Sequence, residues 1–249
     1  MLDAPVALVT GAGRNIGREI ALALAASGHA VAINVRASVD EGSAVVAEIE
    51  AAGGRAMLCV ADVGVRNAVV EMVDCIRARW GRLDVVVNNA AIRREAELAD
   101  LTEDDWHATL RVVLDGAFFC SQAALPLLKL SDRGAIVNIG GLTAHTGAAK
   151  RVHVVTAKAG LVGLTRALAH DLAAHRITVN CVAPGMIDTV RKAESASAAP
   201  AHHATRSTLL GRRGSATEVA QTVSYLCSDA ARYVTGQVLH VNGGAYLGG

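Results

Sequence analysis

The first residues with chemical potential stand at Thr10-Gly11-Ala12-Gly13-Arg14-Asn15-Ile16-Gly17, directly after the apolar run Val6–Val9 and at the start of a helical pattern over Gly17–Ala26. Glycines at a strand–turn–helix junction let the chain turn tightly and bring backbone N–H groups close to a pyrophosphate. The helix N-terminus adds partial positive charge there. This spacing therefore suits dinucleotide binding. Charge then selects the dinucleotide. A site built for NAD(H) places a carboxylate near the ribose 2′-hydroxyl, about 20 residues past the glycine loop. Here the second apolar run ends Ile33-Asn34-Val35-Arg36-Ala37-Ser38 without an acid, and Arg14 lies in the loop itself. Two guanidiniums suit a 2′-phosphate, which they grip bidentately, so NADP(H) is favoured over NAD(H). The alternative is that Arg14 and Arg36 are simply solvated.

Such a loop needs a rigid frame, and the rest of the sequence reads as one. Apolar runs at Val6–Val9, Ala30–Val35, Ala56–Val60, Asp84–Val87, Ala135–Ile139, Thr178–Val182 and Val238–Val241 read as strands. Between them Gly17–Ala26, Ser43–Ala52, Asn67–Arg79, Glu103–Leu128, Thr156–Ala173 and Thr217–Cys227 read as helices. Continuously apolar strands alternating with helices predict an α/β fold: one doubly wound parallel sheet of about seven strands, with helices on both faces. No linker or internal repeat divides the 249 residues, so one Rossmann-type domain is expected throughout. The stretch 190–208, rich in Ala, Ser and His, breaks the pattern and is expected to be either a lid over the site or a surface excursion.

With 52% hydrophobic residues and a formal charge of +1, the composition fits a compact enzyme and gives no electrostatic reason to expect nucleic acid or an anionic membrane. Charged residues interrupt the apolar segments, which argues against a membrane span. No signal peptide is visible, and the five scattered cysteines lack a C-x-x-C spacing, so reduced thiols, no metal site and a cytoplasmic location are expected.

The glycine loop resembles the T-G-x-x-x-G-x-G fingerprint of the short-chain dehydrogenases/reductases, in particular the 3-oxoacyl-acyl-carrier-protein reductases, with Asn15 at the middle glycine. Asp62-Val63, Asn88-Asn89-Ala90-Ala91, Pro184-Gly185-Met186-Ile187-Asp188-Thr189 and the tail Tyr233–Gly244 resemble further family motifs in the same order. The resemblance implies contacts to adenine from Asp62 and Val63 and a coenzyme site that includes Gly11, Ile16, Gly17, Asn89 and Ala90. It also implies a nicotinamide flank from Pro184, Gly185, Ile187 and Thr189. A homotetramer is implied through Glu103–Leu128, Thr156–Ala173 and the last strand.

The same resemblance predicts a Tyr-x-x-x-Lys pair aided by Ser and Asn, and most of it is missing. Lys158 matches the lysine, which implies that it anchors the nicotinamide ribose. Val154 stands at the tyrosine position, Gly141 at the serine and Val113 at the asparagine. Neither valine nor glycine has a side chain that can pass a proton or hydrogen-bond an oxyanion. Loss of general acid–base help costs on the order of 10²–10⁴-fold in rate. His145, in the loop after the fifth strand, is a substitute acid near neutral pH, or else a surface histidine. His153, five residues before Lys158, points about 140° away from it on a helix. Two functions follow as expectations. One is an NADP(H)-dependent oxidoreductase acting on a small carbonyl, enone or imine by a non-standard proton route. The other is a catalytically silent NADP(H)-binding sensor or partner subunit. Non-redox chemistry on the same fold is a third, disfavoured by the retained coenzyme motifs.

Overall fold

The computed structural model describes residues 3–189 and 207–248. Its first half alternates β1 (Val6–Val9), α1 (Asn15–Ala26), β2 (Ala30–Val35), α2 (Val39–Ala51), β3 (Arg55–Val60), α3 (Arg66–Trp80) and β4 (Val85–Asn88). There follow α4 (Glu103–Leu110), α5 (Gly116–Leu128), β5 (Ala135–Ile139), a short α6 (Thr143–Thr146), α7 (Val152–Leu172) and β6 (Thr178–Pro184). The last part carries β7 (Ile187–Asp188), β8 (Gly214–Ser215), α8 (Ala216–Leu226) and β9 (Val238–Val241). Seven strands form one sheet in the order β3-β2-β1-β4-β5-β6-β9, each neighbouring pair parallel.

Side-chain alternation between two covered faces explains why the central strands are apolar apart from Asn34, Asn88, Asn138, Thr178 and Asn180. Ala7, Val9, Val31, Ile33, Val85 and Val87 face the layer of α1, α2 and α8, where Ile20, Leu24, Val45, Ile49 and Val223 meet them. Val6, Leu8, Ala30, Ala32 and Val86 face the opposite layer, against Met72, Ile76, Leu128 and Leu172 of α3, α5 and α7. With 3% aromatic residues, these cores are packed from aliphatic branches.

The expected elements are all present, with shifted ends. The second helix starts at Val39 rather than Ser43, because Asp40 and Glu41 supply favourable negative charge to its first turn. The helix after β5 starts at Val152 rather than Thr156. The stretch from Glu103 to Leu128 runs without interruption, but Arg111–Asp115 forms a π-helical turn between α4 and α5. The two-residue strands β7 and β8 carry no periodic signal and are not among the expected elements. Of the expected lid, 190–206 lies outside the described residues.

One expectation is corrected. The helical stretches Glu103–Leu128 and Val152–His175 are long and apolar enough by composition to cross a membrane, so charges do not interrupt every apolar segment. In the fold both lie against the sheet, and 44% of each apolar window is buried, which accounts for part of their hydropathy.

Asp84 fastens the amino ends of three central strands. Its Oδ2 accepts from the Val6 amide at 2.7 Å, its Oδ1 accepts from Ser131 at 2.6 Å, and Arg82 grips both oxygens at 2.9 and 2.8 Å. Its own carbonyl accepts from Ala135 of β5. Burial alone would raise the carboxyl pKa, but the hydrogen bonds from Arg82, Ser131 and Val6 outweigh it and hold it low. Asp84→Asn removes the charge that Arg82 and two further donors address. It should cost about 2–3 kcal/mol and lower Tm by roughly 4–12 °C in calorimetry. Because the folded pKa is depressed, the stabilisation is complete above the unfolded value of 3.8 and is lost as pH falls through the lower folded value. A variant that melts within a degree of the parent at pH 7 would exclude this clamp.

Candidate active site

The strand order reverses between β1 and β4, and a cleft of about 1180 Å³ opens there, outside the carboxyl ends of the strands. At its near wall the β1–α1 turn is locked to the end of β4. Thr10 Oγ1 accepts from the amides of Asn89 and Ala90 at 2.9 and 3.0 Å. Asn89 Nδ2 donates in turn to the carbonyls of Thr10 and Gly11 at 2.9 and 3.1 Å. Asn34, buried at the end of β2, accepts from the Gly11 amide and donates to the Ala61 carbonyl, so it ties the turn to β3 as well.

Two positions in the turn demand special backbone. Gly11 sits at φ +62° and Asn15 at φ +51°. Asparagine tolerates the left-handed region better than other side chains, which explains how it occupies the middle-glycine position of the fingerprint. At Gly17 a Cβ would stand 2.4 Å from the Gly11 carbonyl oxygen. Helix α1 has no side-chain N-cap and no acid in its first turn, so its opening amides are left for an anion. These features fit a dinucleotide pyrophosphate.

All the residues proposed from sequence for the coenzyme line this one cleft: Gly11, Arg14, Asn15, Ile16, Gly17, Arg36, Asp62, Val63, Asn89, Ala90, Lys158, Pro184, Gly185, Ile187 and Thr189. Arg36 is exposed, and Arg14 keeps 54% of its side chain exposed. Sequence reasoning missed Glu41, on the first turn of α2, whose carboxylate lies 4.0 Å from Arg14. It stands beyond the strand end, where a ribose-binding acid is ordinarily sought. Two guanidiniums against one carboxylate still leave this corner cationic.

The opposite end of the cleft is aliphatic where the family resemblance places proton-transfer groups. Val154 is 2% exposed, and Val113, on the π turn, packs against Ala157 and Leu161. An added Cβ at Gly141 would meet nothing within 4 Å, so the serine position is open space. Lys158 is buried among these residues, and its Nζ donates to the Ile139 carbonyl. Burial, with the guanidiniums of Arg93 and Arg151 nearby, brings its pKa down to about 7, against a smaller upward pull from Cys181. Arg93, Arg94 and Arg151 line this end too, and sequence reasoning missed all three. The spacing could have shown Arg151, which lies three residues before Val154 and two helical turns before Lys158, on the same face.

His145 is not brought to this site. Its ring packs edge-on to His240 at 4.6 Å and stacks on Tyr246 at 5.6 Å, away from the cleft lining. Burial, with Arg166 nearby, lowers its pKa. The C-terminal segment reaches back over α6, a contact with no trace in the order of residues. His153 is buried and also outside the lining. Helices α5 and α7 are set on the strands by a buried polar chain. Asn88 donates to Asn138 at 2.9 Å, Asn138 to Thr165 at 2.9 Å, and Ser121 accepts from Asn88 at 3.3 Å.

Comparison with known proteins agrees with this geometry. Residues 11–246 match the family described as Enoyl-(Acyl carrier protein) reductase. The 3-oxoacyl-[acyl-carrier-protein] reductase FabG of Staphylococcus aureus is 40% identical over 241 residues, covering 97% of this chain and 98% of that one. The (2S)-[(R)-hydroxy(phenyl)methyl]succinyl-CoA dehydrogenase subunit BbsD of Thauera aromatica is 41% identical, covering 97% and 96%. A short-chain dehydrogenase from Burkholderia cenocepacia, solved in complex with NADP, superposes with a TM-score of 0.90 at 39% identity, covering 97% of each chain. The chain belongs to the short-chain dehydrogenase/reductase family. Within it, the sequence is similar to the 3-oxoacyl-acyl-carrier-protein reductases.

The Gly17 contact yields a test. Gly17→Ala forces the turn away from Asn89 and should weaken NADPH binding by about tenfold or more in fluorescence titration, with the far-ultraviolet dichroism of the parent retained. Unchanged affinity would show that the turn does not cradle the coenzyme.

Proposed function

We propose that the protein is an NADP(H)-dependent oxidoreductase for a small carbonyl-, enone- or imine-type substrate, with Lys158 in the proton-handling role that a tyrosine fills in the resembling family. The observation that carries this reading is the complete dinucleotide cradle leading to a buried lysine with a pKa of about 7. The Burkholderia short-chain dehydrogenase was solved with NADP bound, which supports the choice of NADP(H), as do Arg14 and Arg36.

A bound nicotinamide supplies or accepts the hydride and needs the protein mainly for positioning. The chain's own residues do the rest. Val154 and the open Gly141 leave room above the cleft floor for the reacting carbon. Lys158 as ammonium donates a proton from Nζ to the substrate heteroatom during reduction, and as amine it takes one back during oxidation. A pKa near the working pH is what general acid–base transfer requires. Burial is the main cause of that lowered value, and Arg93 and Arg151 add to it by opposing the ammonium. For assembly we read a cytoplasmic homotetramer acting on small molecules, without nucleic acid or membrane partners. Phe118 of α5 and Val152 of α7, each about two-fifths exposed, support packing of these helices against another copy, and β9 is an open edge strand.

A second reading, a coenzyme-binding sensor or partner subunit without turnover, draws on the aliphatic Val154 and Val113 and on Gly141. One assay separates the two. With NADPH and a panel of aldehydes, ketones, enones and imines, the first reading expects turnover whose kcat/KM declines as pH rises through and above about 7, because the ammonium is the acid. Lys158→Arg should move that decline out of the accessible range, and Lys158→Ala should cut the rate by roughly 10²–10⁴-fold. NADPH binding without any turnover would establish the silent protein. Gly141→Ser with Val154→Tyr, the serine entering open space, should raise ordinary ketone reduction by roughly 10²-fold or more. No gain in a folded, coenzyme-binding double variant would mean that the pocket does not place a substrate over this helix.

A further inference from the structure

Lys158 lines the cleft but is only 6% exposed, and among the described residues no carboxylate acts on it. Its Nζ donates to the carbonyl of Ile139, at the end of β5. An ammonium carries three N–H donors, and holding it out of water without a counter-ion is costly, so a lysine in this setting gives up its proton easily. Amine and ammonium accordingly coexist at neutral pH, with burial as the main cause. Lys150 shows the contrast. It is exposed and pairs with Glu97 at 2.7 Å, which holds it as ammonium.

An amine has a lone pair that an ammonium lacks, and a desolvated lysine in an apolar pocket is a nucleophile toward carbonyl groups. A neutral Nζ that donates one N–H to Ile139 keeps that lone pair for a second partner. The surroundings favour a carbonyl carbon as that partner. Val154 stands one helical turn before Lys158 on the same face, where it offers methyl groups and no hydroxyl. A Cβ at Gly141 would meet nothing within 4 Å, so this wall is open. Ile139, Leu142 and Met186 complete an aliphatic lining. A ketone entering here meets the amine without a tyrosine or serine hydroxyl, at the positions the family uses, to take its oxygen first.

We propose that, in the coenzyme-free protein, the Lys158 amine condenses with small ketones and aldehydes to a Schiff base and so labilises their α-hydrogens. Nζ adds to the carbonyl carbon, and the proton it loses goes to the oxygen. A second proton, from solvent, lets that oxygen leave as water while the nitrogen lone pair closes the C=N bond, giving an iminium. A neighbouring C–H proton then passes to water, and its electron pair neutralises the iminium as an enamine. Reprotonation from solvent and hydrolysis return the carbonyl compound and the free amine, so nothing is oxidised or reduced. This rests on the reading of the cleft as a carbonyl-binding site and adds a second, coenzyme-independent use of its lysine.

The test is reductive trapping of the coenzyme-free protein with cyclohexanone and sodium cyanoborohydride at neutral pH. Peptide mass mapping then locates the adduct among the chain's four lysines, Lys129, Lys150, Lys158 and Lys192. It should fall on Lys158. In deuterated water the protein should also accelerate exchange of the α-hydrogens of cyclohexanone, followed by nuclear magnetic resonance. Lys158→Arg keeps a cation without an amine nucleophile, and it should lose both the adduct and the exchange, as should Lys158→Met. Mapping on the parent decides the matter even where a variant folds poorly. An adduct that spares Lys158, exchange that Lys158→Arg leaves unchanged, or no exchange above the buffer rate would overturn the proposal. NADPH turnover of ketones with Lys158 unmodified would remove the Schiff base and leave the oxidoreductase reading intact. Trapping at Lys158 with exchange but without any NADPH oxidation would do the reverse.

Discussion

A Cβ on Gly17 would come within 2.5 Å of Asn89 Nδ2 and still closer to the Gly11 carbonyl, so the turn after β1 reaches the end of β4 only because hydrogen stands at that position. The rest of the cleft depends on this approach. It lets Asn89 bridge two carbonyls of the turn and lets Thr10 accept two amides from the end of β4, which sets the mouth of the sheet at one width. Gly11 and Asn15 take up the backbone curvature in the left-handed region, where a bulkier residue would cost on the order of 1 kcal/mol or more. The opening amides of α1 consequently face the cleft.

At the other end the governing fact is a cation held out of water. Lys158 donates to the Ile139 carbonyl and lies near two guanidiniums, so its charged form is disfavoured by burial first and by repulsion second. A lysine kept this way costs stability at neutral pH, because the unfolded chain binds a proton that the folded chain gives up readily. Such strain is common at functional sites. The negative charge of a bound phosphorylated dinucleotide, or of an anionic substrate, would relieve it, which couples ligand binding to the protonation of this residue. The positions that share the proton work in the resembling family are aliphatic or open here, and Lys158 is retained beside them.

Much of the frame is legible in the chain order. The apolar runs and their spacing carry the parallel sheet, since strands buried on both faces must be apolar throughout. The glycine turn is legible because its glycines lie within a few residues of each other and its context on both sides is local. Helices α2 and α7 begin four residues earlier than expected; in α2 the first turn holds the exposed Val39 and Asp40, which weaken the stripe, whereas in α7 the added turn carries the buried His153 and Val154. The π turn at Arg111–Asp115 and the two-residue strands β7 and β8 leave no periodic trace. The polar chain Asn88–Asn138–Thr165 is invisible in sequence because its members come from two strands and a helix far apart along the chain.

By itself the sequence determined the apolar strands, the glycine turn, the surviving lysine and the replacement of its usual partners, because each of these is written in a short local run of residues that can be read without its neighbours in space. Tertiary structure decided the fate of the isolated charges and rings. His145 turns to His240 and Tyr246 from the C-terminal segment, Glu41 reaches back to Arg14, and Arg93 acts on Lys158 from a distant part of the chain. Those outcomes rest on the distance between groups brought together by folding, and both the Coulomb term and the burial that amplifies it are set only once the elements have packed.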